Sequence, residues 1–490
     1  MATGITARLK LVATTLERES TPEAVRGGLR ERVSRLVGDD AERLWLLLAV
    51  TTATLPGVDD VVELQRRVRL DGPLAAVGDV VRSARTRFAT RLNDHVEVVG
   101  GVMVDADHTA RSELATGIQR VVRQTIVHWS TDHAFELVGW DDSYSRLRRL
   151  EPAERENAVW GTGPVDDRRS VGRVVVPWEA DYVLIELATE VERTARIQAL
   201  ARFSPNRVHV VGHDCVPITT AETVGPGMGG VFAKNLSAVA FATNVATTSI
   251  ASTAEYRGWR ETLGAIGLTG PDIHEVMLPT GVDPEVIDEA RAIAEPVDDD
   301  DPLLLCVGSH EPRKNHLAIL QAAEVLWRDG LRFRLVFVGG NSWNSEEFAR
   351  LSSAMQAAGR SLETRRGLSD EMLWALYAAS SLTLFPSVNE GFGLPVAESL
   401  AVGVPVLTSD LGSMKEIADA GGGAILVDPH DDRDIASGIR AFLTDPELRQ
   451  RLRAEAARRE QRSWAEYASE LWAYFDLDRV SRPVAPSASA

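Results

Sequence analysis

The sequence predicts an α/β protein of two sheet domains set in series behind an all-helical extension. Three observations carry this. From His95 onward, short β-rich runs alternate with helical stretches, the pattern of a parallel sheet. The acidic, proline-bounded run EPVDDDDP, residues 295–302, divides that alternation in two. Residues 1–92 show apolar positions at helical spacing among Arg, Glu and Asp, with almost no strand pattern. A chain of 490 residues, at roughly 150 per domain, has room for about three units that each bury a core.

The elements follow in order. VSRLVGDDAERLWLLLAVTTATL and VVELQRRVRL supply the helical extension, 1–92. HVEVVGGVMVDAD, FELVGW, RVVVPW, YVLIEL, RVHVVGHD and AFATNVATTSI are the strands of a first Rossmann-like domain, 93–294. The acidic run at 295–302 reads as a hinge. In the second domain, 303–462, PLLLCVG, FRLVFVGG, SLTLFP and VPVLTS are strands, and HLAILQAAEVLWRDG and DEMLWALYAAS are helices. SWAEYASELWAYF, within 463–477, is a terminal helix, and 478–490 is expected to be a disordered tail.

Composition narrows the function. A net charge of -18, from 71 acids against 53 bases, argues against a general nucleic-acid binder and against adsorption to an anionic membrane. No apolar run approaches the roughly 20 residues that span a bilayer, and charges interrupt the N-terminus too early for a secretory signal. The expected compartment is the cytoplasm. The two cysteines, Cys215 and Cys306, sit beside apolar runs as buried free thiols. Asp298 to Asp301 read as a solvated linker, and neither they nor Asp105 and Asp107 are assigned a metal. VRSARTRFATRL leaves membrane contact open, with a solvated helix face the favoured reading, and residues 1–92 could serve a homo-oligomer or a second subunit.

The most informative segment is NEGFGLPVAESLAVGVPV, in which Glu390 and Glu398 bracket a glycine-rich turn. It follows the strand-like SLTLFP, and Pro395 stands where a helix can begin. Strand, turn and helix N-terminus together make an anion site, because backbone N–H groups around Gly391, Phe392 and Gly393 can approach a ligand closely. The same turn also occurs as plain structure in α/β proteins. The whole string, with GFG and Pro between two glutamates and GVPV after them, resembles the signature of retaining glycosyltransferases of the GT-B fold, in particular glycosyltransferase family 4.

The resemblance covers nearly all of residues 300–477 and touches the first domain at three places. LLLCVGSHEPRKNHLAILQAA, VFVGGN, RRGLSDEMLWALYAAS and TSDLGSMKEIADAGGGAILVDPHD follow the family pattern in the second domain. In the first, TGIQRVVRQTI, VGHDCVPIT and LPTGVD are similar to a mannosyltransferase-like branch. The implied architecture is two Rossmann-like domains facing across a cleft, with donor on the second and acceptor on the first. The implied reaction moves a sugar from a nucleoside diphosphate to an acceptor hydroxyl with retention, GDP-mannose being slightly favoured over a UDP sugar. The acceptor is a glycan, a protein, a lipid-linked chain or a small molecule, and neither metal nor other cofactor is required.

The resemblance also assigns roles. Glu390 holds the donor sugar and His213 meets it from the first domain, as the catalytic pair. Glu398 takes the ribose, while Gly391, Phe392, Gly393 and Leu394 meet sugar and phosphates through the backbone. Arg313 and Lys314 neutralise the diphosphate, whose charge grows as the glycosidic bond breaks. Ser309 stands where many members carry another cation. Leu368 lies at the base, Gly339 is either a backbone approach point or a turn, and Gly117 lets the first-domain loop come close. A scaffold subunit that binds nucleotide sugar without turnover, acting through its helical extension, is the alternative. A phosphorylase of this fold would need pyridoxal phosphate on one of four lysines.

Overall fold

The computed structural model describes residues 2–17, 27–88, 91–112, 116–163, 172–298 and 300–480. The extension forms helices Ala2–Glu17, Leu29–Val37, Ala41–Thr52, Val58–Asp71 and Pro73–Arg87. Local chemistry sets their ends. Asp40 accepts the Glu42 and Arg43 backbone N–H groups at the start of the third helix, and Pro73 opens the fifth, where its missing N–H is harmless. These helices do not stand apart as an appendage: Leu44, Trp45, Leu46 and Leu47 share one continuous apolar core with Val99, Val175 and Leu200 of the first domain.

The first sheet comprises β1 (His95–Asp105), β2 (Glu136–Trp140), β3 (Leu147–Arg149), β4 (Arg173–Leu184), β5 (Arg207–Gly212), β6 (Asn244–Thr247) and β7 (Asp272–Glu275). β1 runs parallel to both β2 and β4, β3 is antiparallel, and β4 to β7 continue the parallel sheet. The second sheet comprises β8 (Leu303–Val307), β9 (Arg334–Val338), β10 (Leu362–Arg365), β11 (Leu382–Phe385), β12 (Val406–Ser409) and β13 (Ala424–Val427). Its order is β10-β9-β8-β11-β12-β13, parallel throughout. The strand order reverses between β8 and β11, so their carboxyl ends open a crevice.

Two boundaries differ from the sequence expectation. Helix Pro284–Ile293, placed by sequence in the first domain, buries Ile287 and Ala290 against Leu303, Leu305, Trp374 and Tyr377 of the second. The chain has therefore crossed before the acidic run expected to be the hinge, because the apolar face of that helix finds its partner across the cleft. At the other end, a 3-10 turn spans Leu477–Val480, with Leu477 buried, where the disordered tail was expected to start. The rest of that tail, 481–490, lies outside the described residues.

Helix Trp464–Tyr474 returns to the first domain. Trp129 Nε1 donates to the Ala468 carbonyl at 2.8 Å, and Trp472 packs edge-on to Trp129 and stacks on His133. Among the described residues no helix is long and apolar enough to cross a membrane. Cys215 and Cys306 are buried and free, and burial pushes both thiols up.

Candidate active site

Two loops from the switch point of the second sheet build the polar centre. After β8 the chain makes a 3-10 turn over Pro312–Lys314, and Asn315 takes the left-handed conformation at φ 60°. Asn315 Nδ2 donates to the carbonyls of Pro386, at 3.2 Å, and Pro429, at 2.7 Å. The Arg313 carbonyl accepts from Val388 N–H at 2.9 Å and Ser387 Oγ at 3.0 Å. The loop after β11 is thus laced to the loop after β8 and cannot move alone.

Glu390 sits at the junction. Lys314 Nζ lies 2.5 Å from its Oε1, Arg313 Nη1 lies 2.5 Å from its Oε2, and Ser387 Oγ donates to Oε1 at 2.7 Å. Burial alone would raise this carboxyl, but Arg313 and Lys314 outweigh it and hold it down at about 2. Burial lowers Lys314, with Glu390 partly offsetting it. Arg313, which also bonds Glu311 at 2.8 Å, is raised by these acids against the pull of burial. The cations expected to neutralise a diphosphate are therefore already paired. Glu390, Arg313, Lys314 and Glu311 form one ion cluster.

Glu398 sits one turn into helix Leu394–Ala401, which starts behind Gly393 at φ 100° with Pro395 in its first turn. Tyr377 Oη donates to its Oε2 at 2.8 Å, and Arg120, from the first domain, pairs with its Oε1. The Arg120 guanidinium lies 3.9 Å from Asp370 and over the Trp374 ring. A cavity of about 430 Å³ opens here between the domains, lined by Arg120, Asp370, Trp374, Leu394 and Glu398. Leu368 packs at the edge of the core that holds Trp374 and Tyr377.

The first domain faces this machinery through both main chain and side chains. His213 follows β5; its Nε2 donates to the Ile185 carbonyl at 3.2 Å, and burial lowers it to about 4, so the ring is neutral at pH 7. The His213 carbonyl accepts from Thr248 Oγ1 at 2.9 Å and Ser252 Oγ at 3.0 Å. The Gly391 carbonyl, across the cleft, accepts from Ser249 Oγ at 2.6 Å and Ser252 Oγ at 2.9 Å. Glu416 of the second domain accepts the Ile250 and Ala251 N–H groups, at 3.0 and 2.6 Å, capping first-domain helix Ile250–Leu263.

Several sequence assignments change in kind. A Cβ on Gly391 would lie 2.3 Å from the His213 carbonyl oxygen, so glycine is required there by the domain contact. A Cβ on Gly339 would lie 1.9 Å from the Gly308 carbonyl oxygen, and the Gly339 N–H already donates to Arg365. Gly339 thus packs β9 against the end of β8 and has no N–H to offer a donor. A Cβ on Gly117 would lie 3.1 Å from Leu394 Cδ1 of the second domain. Phe392 is buried in the core between the domains, with Val396 and Leu400, so only its backbone can meet a ligand. Ser309 is exposed at the end of β8, and its carbonyl closes the turn by accepting from Glu311.

Sequence reasoning passed over Arg120, Ser387 and Tyr377, and used Asp214 only as a neighbour that favoured His213. Arg120 lies inside the TGIQRVVRQTI string, but nothing local marks it apart from Arg123. Asp214, beside His213, feels both Arg313 and Glu390; burial raises it first, and it reaches about 6. Among the described residues no group of three or more His, Cys, Asp or Glu side chains is placed to hold a metal ion.

Two parallel-sheet domains closed over a polar crevice define a GT-B fold. Residues 288–459, which are nearly the whole second domain, match the family described as Glycosyl transferases group 1. Over 250 residues the chain is 31% identical to serotype-specific mannosyltransferase WbdA of Escherichia coli, covering 48% of this chain and 29% of that protein. It is 34% identical over 170 residues to O-antigen chain mannosyltransferase B of Escherichia coli, with 33% and 42% covered. It is also 34% identical over 205 residues to D-inositol 3-phosphate glycosyltransferase of Thermobispora bispora, with 38% and 46% covered. The chain thus spans less than half the length of these relatives. Sucrose-phosphate synthase from Thermosynechococcus elongatus superposes with a TM-score of 0.53 at 15% identity, over 78% of this chain and 97% of that one. An alpha,alpha-trehalose 6-phosphate synthase from Burkholderia multivorans gives 0.53 at 13% identity, over 78% and 99%. At these identities the likeness is one of fold.

Proposed function

We propose that the protein transfers a sugar from a nucleoside diphosphate to an acceptor hydroxyl, with retention of anomeric configuration. The observation that carries this is the Glu390 cluster at the switch point of the second sheet, with His213 of the first domain across the cleft. Glu390 stays ionised at any working pH and accepts one hydroxyl of the donor sugar at the site left on Oε2. Arg313 and Lys314 stabilise the departing diphosphate as its charge grows. Glu398 takes the ribose, and neutral His213 positions the sugar as a hydrogen-bonding group. In the same-face route the acceptor oxygen bonds to the anomeric carbon while the carbon–phosphate oxygen bond breaks. The acceptor proton passes to a phosphate oxygen of the leaving group, so no protein base, metal or other cofactor enters.

The similarity to two mannosyltransferases favours GDP-mannose, with a UDP sugar as competitor. The acceptor is a glycan, a lipid-linked chain, a protein or a small molecule, and two unpaired thiols suit a reducing cytoplasm. The test is a thermal-shift panel of nucleotide sugars followed by NMR of the product. A true donor at about 100 times its Kd adds about 2.7 kcal/mol of stability. A panel that stabilises with no nucleoside diphosphate sugar rejects the reading, and a product of inverted configuration rejects its stereochemical part.

A further inference from the structure

We propose that Arg120, a first-domain residue, sets the grip of Glu398 on the donor ribose and so makes nucleotide binding depend on domain closure. This rests on the reading above, in which Glu398 takes the ribose hydroxyls. The Glu398 residue is 7% exposed, and a carboxylate so placed needs hydrogen-bond partners. It has one from each domain. Tyr377 Oη donates to Oε2 at 2.8 Å from the same domain, and Arg120 pairs with Oε1 from the opposite one.

Each carboxylate oxygen accepts two hydrogen bonds, so both oxygens of Glu398 keep one lone-pair site free. That matches a vicinal pair of hydroxyls. Without Arg120, Tyr377 alone would hold the carboxylate, by Oε2 only, and Oε1 would lose the partner that fixes its direction toward the hydroxyl pair. Arg120 is itself held in place, 3.9 Å from Asp370 and over the Trp374 ring. Gly117, at the start of the same helix, abuts Leu394. The helix end therefore cannot withdraw while the domains stay closed. Arg120 is a positioning residue that acts through Glu398.

The experiment measures binding of GDP and UDP, and of their 2′-deoxy counterparts, by calorimetry. Four proteins are compared: wild type, Glu398→Ala, Arg120→Met and Arg120→Lys. In the wild type the ribonucleotide binds about tenfold tighter, as expected for one hydrogen bond to a charged group. Glu398→Ala brings the ratio near one; Arg120→Met does the same, and Arg120→Lys restores most of it. With nucleotide present, small-angle scattering gives Arg120→Met a larger radius of gyration than the wild type, and equal radii overturn the closure part of the inference. A wild-type ratio in Arg120→Met, with the ratio lost in Glu398→Ala, overturns the inference and leaves the ribose reading standing. A ratio unchanged in Glu398→Ala removes that reading itself. Should Arg120→Met not fold, Arg120→Lys and Arg120→Gln carry the test, and a wild-type ratio in Arg120→Gln overturns the inference.

Discussion

The carbonyl oxygen of His213 stands so close to Gly391 that a Cβ on the glycine would lie 2.3 Å from it. The atom in the way is backbone, and Thr248 and Ser252 hold it by hydrogen bonds, so it cannot yield as a flexible side chain would. Gly391→Ala is expected to force the domains apart, loosening the core between them around Phe392 while leaving the two outer cores intact. The measurements are small-angle scattering and initial rate: a larger radius of gyration, and transfer lowered at least about 100-fold, as expected when reacting groups are misplaced by about 1 Å. Wild-type closure in this variant would defeat the argument.

Glu390 joins two cations that have little access to water. Glu390→Ala leaves Arg313 and Lys314 without their shared carboxylate, and breaking such a pair is expected to destabilise the second domain by about 3 kcal/mol. Urea unfolding reads this directly, and a loss below about 1 kcal/mol would contradict it. The pH dependence has a definite sign. Because the folded carboxyl is depressed to about 2, its stabilisation is present above the ordinary carboxylate range and is lost as pH falls through about 2. No inflection of stability between pH 5 and 8 should vanish with Glu390.

Asp214 behaves in the opposite sense. Burial raises it from 3.8 to about 6, with Glu390 adding to the rise and Arg313 opposing it. The folded state then binds a proton more tightly than the unfolded one, so stability falls as pH rises from about 4 to about 6. Asp214→Asn is expected to be more stable than wild type at pH 8 by about 1–2 kcal/mol, after allowance for solvent access. The gap closes as pH drops through 6 and is absent at pH 4. Thermal unfolding across that range checks it, and an unchanging gap would refute it.

Gly339 was expected by sequence to serve either donor approach or a turn. Its contact with the Gly308 carbonyl makes it a packing residue, and Gly339→Ala is expected to lower stability by about 3 kcal/mol through overpacking of backbone on backbone. Nucleotide affinity of the fraction that folds should stay within about threefold of wild type. A variant of full stability with lost binding would restore the donor role.

The Glu390 to Glu398 string was legible because its chemistry is local. A strand, a glycine-rich turn and a proline-led helix are neighbours in sequence, and PRK follows β8 directly. Arg120 and Tyr377 were not legible, since each meets Glu398 over 278 and 21 residues of chain. The hinge was misplaced for a related reason. EPVDDDDP looks like a linker by composition, yet the choice of which core takes Ile287 and Ala290 is made by a face on another element.

By itself the sequence determined the two α/β units, the helical character of the N-terminal region and the glycine-rich strand-to-helix turn between Glu390 and Glu398. Periodicity and turn chemistry act over a few residues, and each segment carries its own instructions. Only the tertiary structure decided that the extension shares the first domain's core and that Gly391 serves closure. It alone paired Arg313 and Lys314 with Glu390, and gave Glu398 a partner from the opposite domain. Those outcomes depend on distances between elements that sequence spacing does not encode, and at a few ångströms such distances decide which charges and which backbone atoms meet.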